Sequence, residues 1–339
     1  MPDKYTTRYL DRTEFAIWDS FVDECEDGSI FNKSFWLENI YKYQQNITFC
    51  IVGCFDKNKK LVAGYAFGTK NKFSLFPIIV PPKFTPYNNL LIKKRETKYV
   101  SKKESNQLLI IEEISNFLIK KFKFITLSFP PGFKDIRGFL WNGYTEKIKY
   151  TYLEKIKNIE EIQECFEPSL KRQIKKGLKQ NYKISYDFNN NEIGISYQLL
   201  RTMQQQKKNQ KDFLDYHNFE NILKILHTKN NLLLCNIYNE DTPVYSNIII
   251  IDQSTAFYWL AGGNYNFYNT GLNQVLLYNI LNKLNQLDCK TFDFIGANTD
   301  SIAKYKSTYN FNLTPYFSVS KTNGLIPKLL FKIKEVIND

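Results

Sequence analysis

The chain has 339 residues, 43% of them hydrophobic, and carries 46 lysines and arginines against 34 acidic residues, a net charge of +12. This is the content of a globular protein with one large or two ordinary domains. Six scattered cysteines and two histidines give no paired ligand sets for zinc and poorly support a Ser/His/Asp or Cys/His nucleophile system, and the thiols are expected to be reduced and buried.

Met1–Tyr5 is charged where a signal peptide needs an apolar run, and the longest aliphatic run, Ile248–Ile251, is too short to span a bilayer. A cytoplasmic protein is expected. The positive charge calls for an anionic partner: nucleic acid, a phosphorylated substrate, a CoA-like carrier or an anionic membrane surface. It is concentrated in Lys171, Arg172, Lys175, Lys176, Lys179 and Lys183, a segment with no acidic residue.

In chain order, hydrophobic periodicity and turn residues predict a strand near 6–10, helices near 14–25 and 35–43, and strands near 48–55, 61–69 and 72–78. A helix over 102–121 follows, then a strand over 124–129, a helical turn near 133–140 and a strand over 146–153. Ser101 and Glu104 form a capping-box pattern at the start of the long helix, and Lys120–Lys121 suit its C-terminal end. The second half predicts a strand near 182–188, helices near 193–206 and 216–227, and strands near 232–238, 244–251 and 256–262. A helix over 272–287, a strand over 291–295, a helix over 299–308 and a strand over 313–320 complete it. Both halves thus read βααβββαβαβ. Sliding one half over the other by roughly 166 residues sets Phe139 on Tyr305 and Leu140 on Lys306. The first half therefore has leucine where the second has lysine, which places the chemistry in the second half.

This element order, with Tyr258-Trp259 leading into Gly262-Gly263, then Phe292-Asp293-Phe294-Ile295-Gly296, then Tyr305-Lys306 and the basic helix Ser169–Gly177, resembles the FemABX-like branch of the GNAT superfamily, including the BioF2-like (CelD-like) domains. The resemblance is strong over about 150–321 and topological over 1–150. It implies an α/β (α+β) fold of two tandem GNAT-like (acyl-CoA N-acyltransferase) domains, each a mixed central sheet flanked by helices. These are a degenerate domain over 1–155 and a domain over 156–339 that carries the active cleft and ends in an amphipathic helix. It further implies an acyl- or aminoacyltransferase with acyl-CoA or aminoacyl-tRNA as co-substrate, no tightly bound cofactor, no metal and no DNA partner. The acceptor would be an amine of a cell-envelope precursor, an amino sugar or an amino-lipid. The chain departs from the pattern at Ala297, where serine is common, and at Tyr305, where phenylalanine is. The loop near 207–214 is too short for the coiled-coil arm of some Fem enzymes.

Candidate roles follow from residue chemistry. Lys306, on a helix expected to border the cleft, is a cation for phosphate or for a tetrahedral oxyanion; by spacing alone, two residues from Lys304, it reads first as a solvated surface lysine, and it is the resemblance that brings the cation role level with that reading. Asp293 either accepts a proton from the attacking amine or orients a substrate hydroxyl, or else is a buried aspartate bonded to nearby backbone N–H groups. Tyr258 is the cleft-lining choice, and Gly262 and Gly263 permit a bulge or a close approach by substrate. Tyr268-Asn269-Thr270-Gly271-Leu272-Asn273 is the nearest match to the GNAT phosphate cradle, with Asn273 where glycine or alanine would admit phosphate. Gly296 and Tyr305 complete the binding set. Arg172 and Lys176, four apart, share a helix face suited to a diphosphate, an RNA acceptor stem or a lipid headgroup. The amphipathic segment 325–337 is a candidate for peripheral contact with the inner face of a membrane. The rival reading is a catalytically silent module that binds RNA or an anionic surface through its basic helix.

Overall fold

A computed structural model describes residues 4–44, 46–72, 75–205 and 214–324. The described residues form two compact units: those up to Lys149 together with Pro315–Gly324, and those within Tyr150–Thr314. The segments expected to form the short 207–214 loop and the 325–337 helix lie outside the described residues, save Leu214.

The first unit contains β1 (Tyr5–Tyr9), α1 (Phe15–Glu24), α2 (Ser34–Lys42), β2 (Thr48–Asp56), β3 (Leu61–Lys72), β4 (Phe76–Val80), a short β5 (Leu91–Ile92), α3 (Val100–Lys121), β6 (Phe124–Ser128) and α4 (Arg137–Trp141). Strand β7 (Thr145–Lys155) leads into the second unit. There follow α5 (Ile159–Cys165), α6 (Pro168–Gly177), β8 (Tyr182–Ser185), α7 (Asn190–Gln205), α8 (Tyr216–Thr228), β9 (Leu232–Asn239), β10 (Thr242–Asp252), β11 (Thr255–Gly263), α9 (Leu272–Gln286), β12 (Thr291–Asp293) and α10 (Asp300–Ser307). Strand β13 (Asn312–Thr322) returns to the first unit.

The two units repeat one topology. In the first, the strand order is β1-β2-β3-β4-β6-β13, antiparallel except for the parallel β4/β6 contact. In the second it is β8-β9-β10-β11-β12-β7, antiparallel except for the parallel β11/β12 pair. A parallel neighbour requires a crossover, supplied by α3 and by α9. The final strand of each set is exchanged along the chain: residues 318–322 of β13 pair with 124–128, and residues 153–155 of β7 pair with 291–293.

Local sequence explains the second unit's core. Val244–Ile250 is buried without alternation, as expected for a strand covered on both faces. Leu272, Val275, Leu276, Ile280 and Leu284 put the inner face of α9 on the sheet. Two local expectations change. Helix α3 begins at Val100 with Tyr99 as N-cap and no side-chain cap bond, so Ser101 lies inside the helix; Glu104 turns instead toward Arg137, 3.4 Å away. The cysteines are all free, but Cys50 is only partly buried and Cys165 is exposed. Among the described residues no helix is long and apolar enough to cross a membrane, and no cluster of His, Cys, Asp and Glu could hold a metal.

Candidate active site

The parallel pair β11/β12 opens early. Its ladder joins Thr255–Phe257 to Thr291–Asp293 and goes no further, whereas β11 remains paired to β10 as far as Gly263. The Asn264 N–H bonds the Val244 carbonyl at 2.8 Å, so alternation aims Gly262 and Leu260 at β10 and Ala261 and Gly263 away from it. A bulge at Trp259, between the Ile248 and Ile249 pairings, adds local twist.

The strands separate because the chain after β12 turns left-handed at two successive residues, Ile295 (φ 44°) and Gly296 (φ 71°). For a β-branched residue this conformation costs about 1–3 kcal/mol and persists only where neighbours enforce it. The restraints are specific. Asp293 Oδ1 accepts the Ile295 N–H at 2.9 Å and the Thr151 hydroxyl at 2.6 Å. Phe294 and Ala297 donate their N–H groups to the carbonyls of Tyr152 and Tyr150, at 2.9 and 2.7 Å. Lys306, only 6% exposed, donates from Nζ to the carbonyls of Phe294, Ile295 and Gly296 at 2.5, 2.5 and 2.8 Å. It also lies 4.8 Å from the Phe294 ring centre. Burial pushes the Lys306 ammonium down to about 8, against the pull of the Asp293 carboxylate.

The sequence expectation put Lys306 at the border of the cleft as a cation for phosphate or oxyanion. Here its three protons are committed to backbone oxygens, which leaves none for a ligand. Asp293 is 2% exposed and accepts a neighbouring backbone N–H, the arrangement of a buried structural aspartate. Tyr258 is buried in the aromatic core rather than at a surface, its ring edge-on to Phe292 and Phe294.

A hydroxyl cluster stands beside the opening. Tyr258 donates to Asn247 Oδ1 at 3.0 Å. Tyr305 Oη accepts from Asn273 Nδ2 at 3.1 Å and lies 3.1 Å from Tyr309 Oη. Burial raises all these phenols: Tyr305 to about 12, Tyr258 and Tyr309 well above their ordinary value, and Tyr245 to about 12 with Tyr305 and Tyr268 adding to it. At neutral pH they are protonated hydrogen-bond donors, not nucleophiles. Asn247 Nδ2 is buried without a partner. Sequence reasoning missed Tyr245, Asn247 and Tyr309. The available signals were alternation along β10, which gives 245 and 247 one face, and the helical spacing of 305 and 309.

The glycines are shaped chiefly by the protein's own packing. A Cβ on Gly262 would meet the Leu200 nitrogen of α7 at 2.5 Å, and one on Gly263 would meet the Tyr245 ring at 2.3 Å. Gly271, at φ 84°, is the N-cap of α9, and a Cβ there would meet the Gln173 carbonyl of α6 at 2.2 Å. The space on the Cβ side of these residues is therefore filled by α7, Tyr245 and α6. Gly296 differs: nothing lies within 4 Å of its Cβ direction. Asn273 spends its amide on Tyr305.

Helix α6 buries Leu170, Ile174 and Gly177 and exposes Arg172, Lys175 and Lys176, and Lys179 is exposed just beyond its C-terminal end. None of these four cations has an ion-pair partner among the described residues. Since Gln173 and Gly177 abut Gly271, the basic helix sits against the N-terminal end of α9, where the helix dipole adds positive potential.

The repeated topology and the opened parallel pair define a tandem GNAT fold. Residues 168–307 match the family described as Acetyltransferase (GNAT) domain. Among solved structures, FemX aligns with a TM-score of 0.62 at 13% identity, covering 92% of this chain and 96% of that one. L-PGS from Bacillus licheniformis aligns with a TM-score of 0.59 at 10% identity, covering 98% of each chain. A tandem GNAT protein from the clavulanic acid biosynthesis pathway aligns at 0.52 and 9% identity, covering 95% of this chain and 99% of that one. No curated protein sequence matches. The chain has a tandem GNAT fold like that of FemX and L-PGS, and its GNAT family match lies in the second half.

Proposed function

We propose that the second unit transfers an acyl or aminoacyl group from an activated thioester or ester to an amine. The observation that carries this is the backbone edge of β11 beyond Phe257, left by β12 and flanked by protonated phenols. An acyl donor laid along that edge finds N–H donors for its carbonyl, the group on which negative charge develops during attack. The acceptor nitrogen forms the new C–N bond and the C–S or C–O bond breaks. The nitrogen's surplus proton passes to water, and Tyr305 is the phenol we assign to protonate the leaving sulfur or oxygen, regaining its proton from solvent. No covalent enzyme intermediate is required.

The donor is acyl-CoA or an aminoacyl ester of tRNA, its phosphates held by Arg172 and Lys176 on the exposed face of α6. The acceptor is an amine of a cell-envelope precursor, an amino sugar or an amino-lipid; the likeness to FemX and L-PGS supports an envelope setting. We assign the first half, to about residue 155, as the degenerate domain, because Leu140, in the helix that follows β6, packs on an apolar cluster where α10 carries Lys306.

Incubation with labelled acetyl-CoA or aminoacyl-tRNA and a panel of amines, read by mass spectrometry, tests the proposal. Donor-dependent N-acylation supports it, and its absence with every donor and amine counts against it. The packing of α6 on Gly271 favours a rival, a non-catalytic module that binds RNA or an anionic surface. Equal affinity for acylated and unacylated RNA without turnover would select that reading.

A further inference from the structure

The carbonyl oxygens of Phe294, Ile295 and Gly296 converge on one point, and Lys306 Nζ occupies it. Three consecutive carbonyls do not converge in a strand, where successive ones point to opposite sides, or in a right-handed helix, where they run parallel to the axis. They do so here because two successive residues are left-handed, one of them β-branched. The negative ends of three carbonyl dipoles so close together repel one another unless a positive charge lies between them. Asp293 adds a carboxylate to the same neighbourhood, bound to the Ile295 N–H and acting electrostatically on Lys306. Hard oxygen donors gathered in this way are what cation sites are made of; here the cation is covalently tethered through α10.

We infer that Lys306 is a positioning residue whose ammonium is a built-in cation, holding the Phe294–Gly296 carbonyls and thereby fixing where β12 parts from β11. A lysine serving only to fill space would be replaced adequately by a chain of equal length. A cation holding three dipoles would not, because methionine leaves the carbonyls facing one another without a charge. The functional consequence rests on the acyltransferase reading, since the β11 edge is open only while the 294–296 turn is held. The clamp itself is tested without any substrate.

The experiment is amide hydrogen exchange on the full chain, read at Ile295 and Ala297, whose N–H groups bond Asp293 and Tyr150. In Lys306→Met and Lys306→Ala both amides should exchange at least about tenfold faster, as for a locally opened segment, while amides of the α9 core keep their protection. Ammonium or methylammonium chloride should restore protection in Lys306→Ala, which leaves room for a small cation, and not in Lys306→Met, whose stem fills the space. Tetramethylammonium chloride at equal ionic strength should restore neither. This rescue is the readout that a packing role would not produce. Unchanged exchange in Lys306→Met overturns the inference, as does rescue of Lys306→Ala by tetramethylammonium. If the alanine variant does not fold, the methionine variant still decides between charge and volume. A clamp confirmed in a chain that transfers no acyl group would sink the proposed activity and leave this inference standing.

Discussion

Lys306 makes a prediction of definite sign. Its ordinary value of 10.5 is depressed to about 8 in the folded protein by burial. Below pH 8 both the folded and unfolded chains carry the proton, so the cost of burying the charge is constant. Between pH 8 and 10.5 the unfolded chain holds the proton while the folded chain has released it, so stability rises with pH across that window and is flat again above it. At about 1.4 kcal/mol per pH unit, the depression of roughly 2.5 units corresponds to about 3 kcal/mol. Phenols and thiols raised by burial contribute with the opposite sign at high pH, but they are common to wild type and to Lys306→Met and cancel in the difference. The assay is urea unfolding of both proteins from pH 7 to 10.5, following a probe in the second unit. The stability of wild type relative to Lys306→Met should climb by about 3 kcal/mol as pH rises from 8 to 10.5. A difference that stays flat, or falls, refutes the depression of the Lys306 ammonium by burial.

Other perturbations follow from the same geometry. Gly271→Ala places a methyl 2.2 Å from the Gln173 carbonyl and forces alanine into a left-handed conformation, so thermal melting should report a loss of about 2–4 kcal/mol. Tyr305→Phe removes the proposed proton donor and one partner of Asn273; turnover with the functional donor should fall by about 10²-fold or more, with donor affinity changed less than threefold. Arg172→Glu with Lys176→Glu should weaken binding of a phosphate-bearing donor and flatten its salt dependence, and leave the melting temperature within about 2 °C, because both side chains are exposed.

Much of the fold was legible because its elements are strongly periodic. The continuous apolar run of β10 and the apolar stripe of α9 leave little choice of structure, and the order of elements repeats in both halves. Exchange of the last strands was not legible, since β7 and β13 each alternate suitably for either sheet and only long-range pairing assigns them. At the candidate site, sequence singled out the 257–321 segment, but the surroundings of several of its residues were not legible. Gly262, Gly263 and Gly271 announce close approach, but not whether ligand or protein approaches; here α7, Tyr245 and α6 do. Lys306 announces a cation near the 292–296 strand end, but its burial depends on the left-handed turn at Ile295, a residue type that favours the opposite conformation. Tyr245 and Asn247 join the hydroxyl cluster only through pairing of β10 with β11. The capping box at Ser101 fails because Glu104 has a competing partner in Arg137 from α4.

The most direct test of the account is hydrogen-exchange footprinting of the full chain with the acyl donor identified by turnover, against the same donor lacking its acyl group. Slower exchange is predicted at Ala261 and Gly263 of β11, greater with the acylated donor, with no change in β3 and β4 of the first unit. Protection confined to α6, or equal with acylated and unacylated ligand, would contradict an acyl-transfer site at the opened edge of β11.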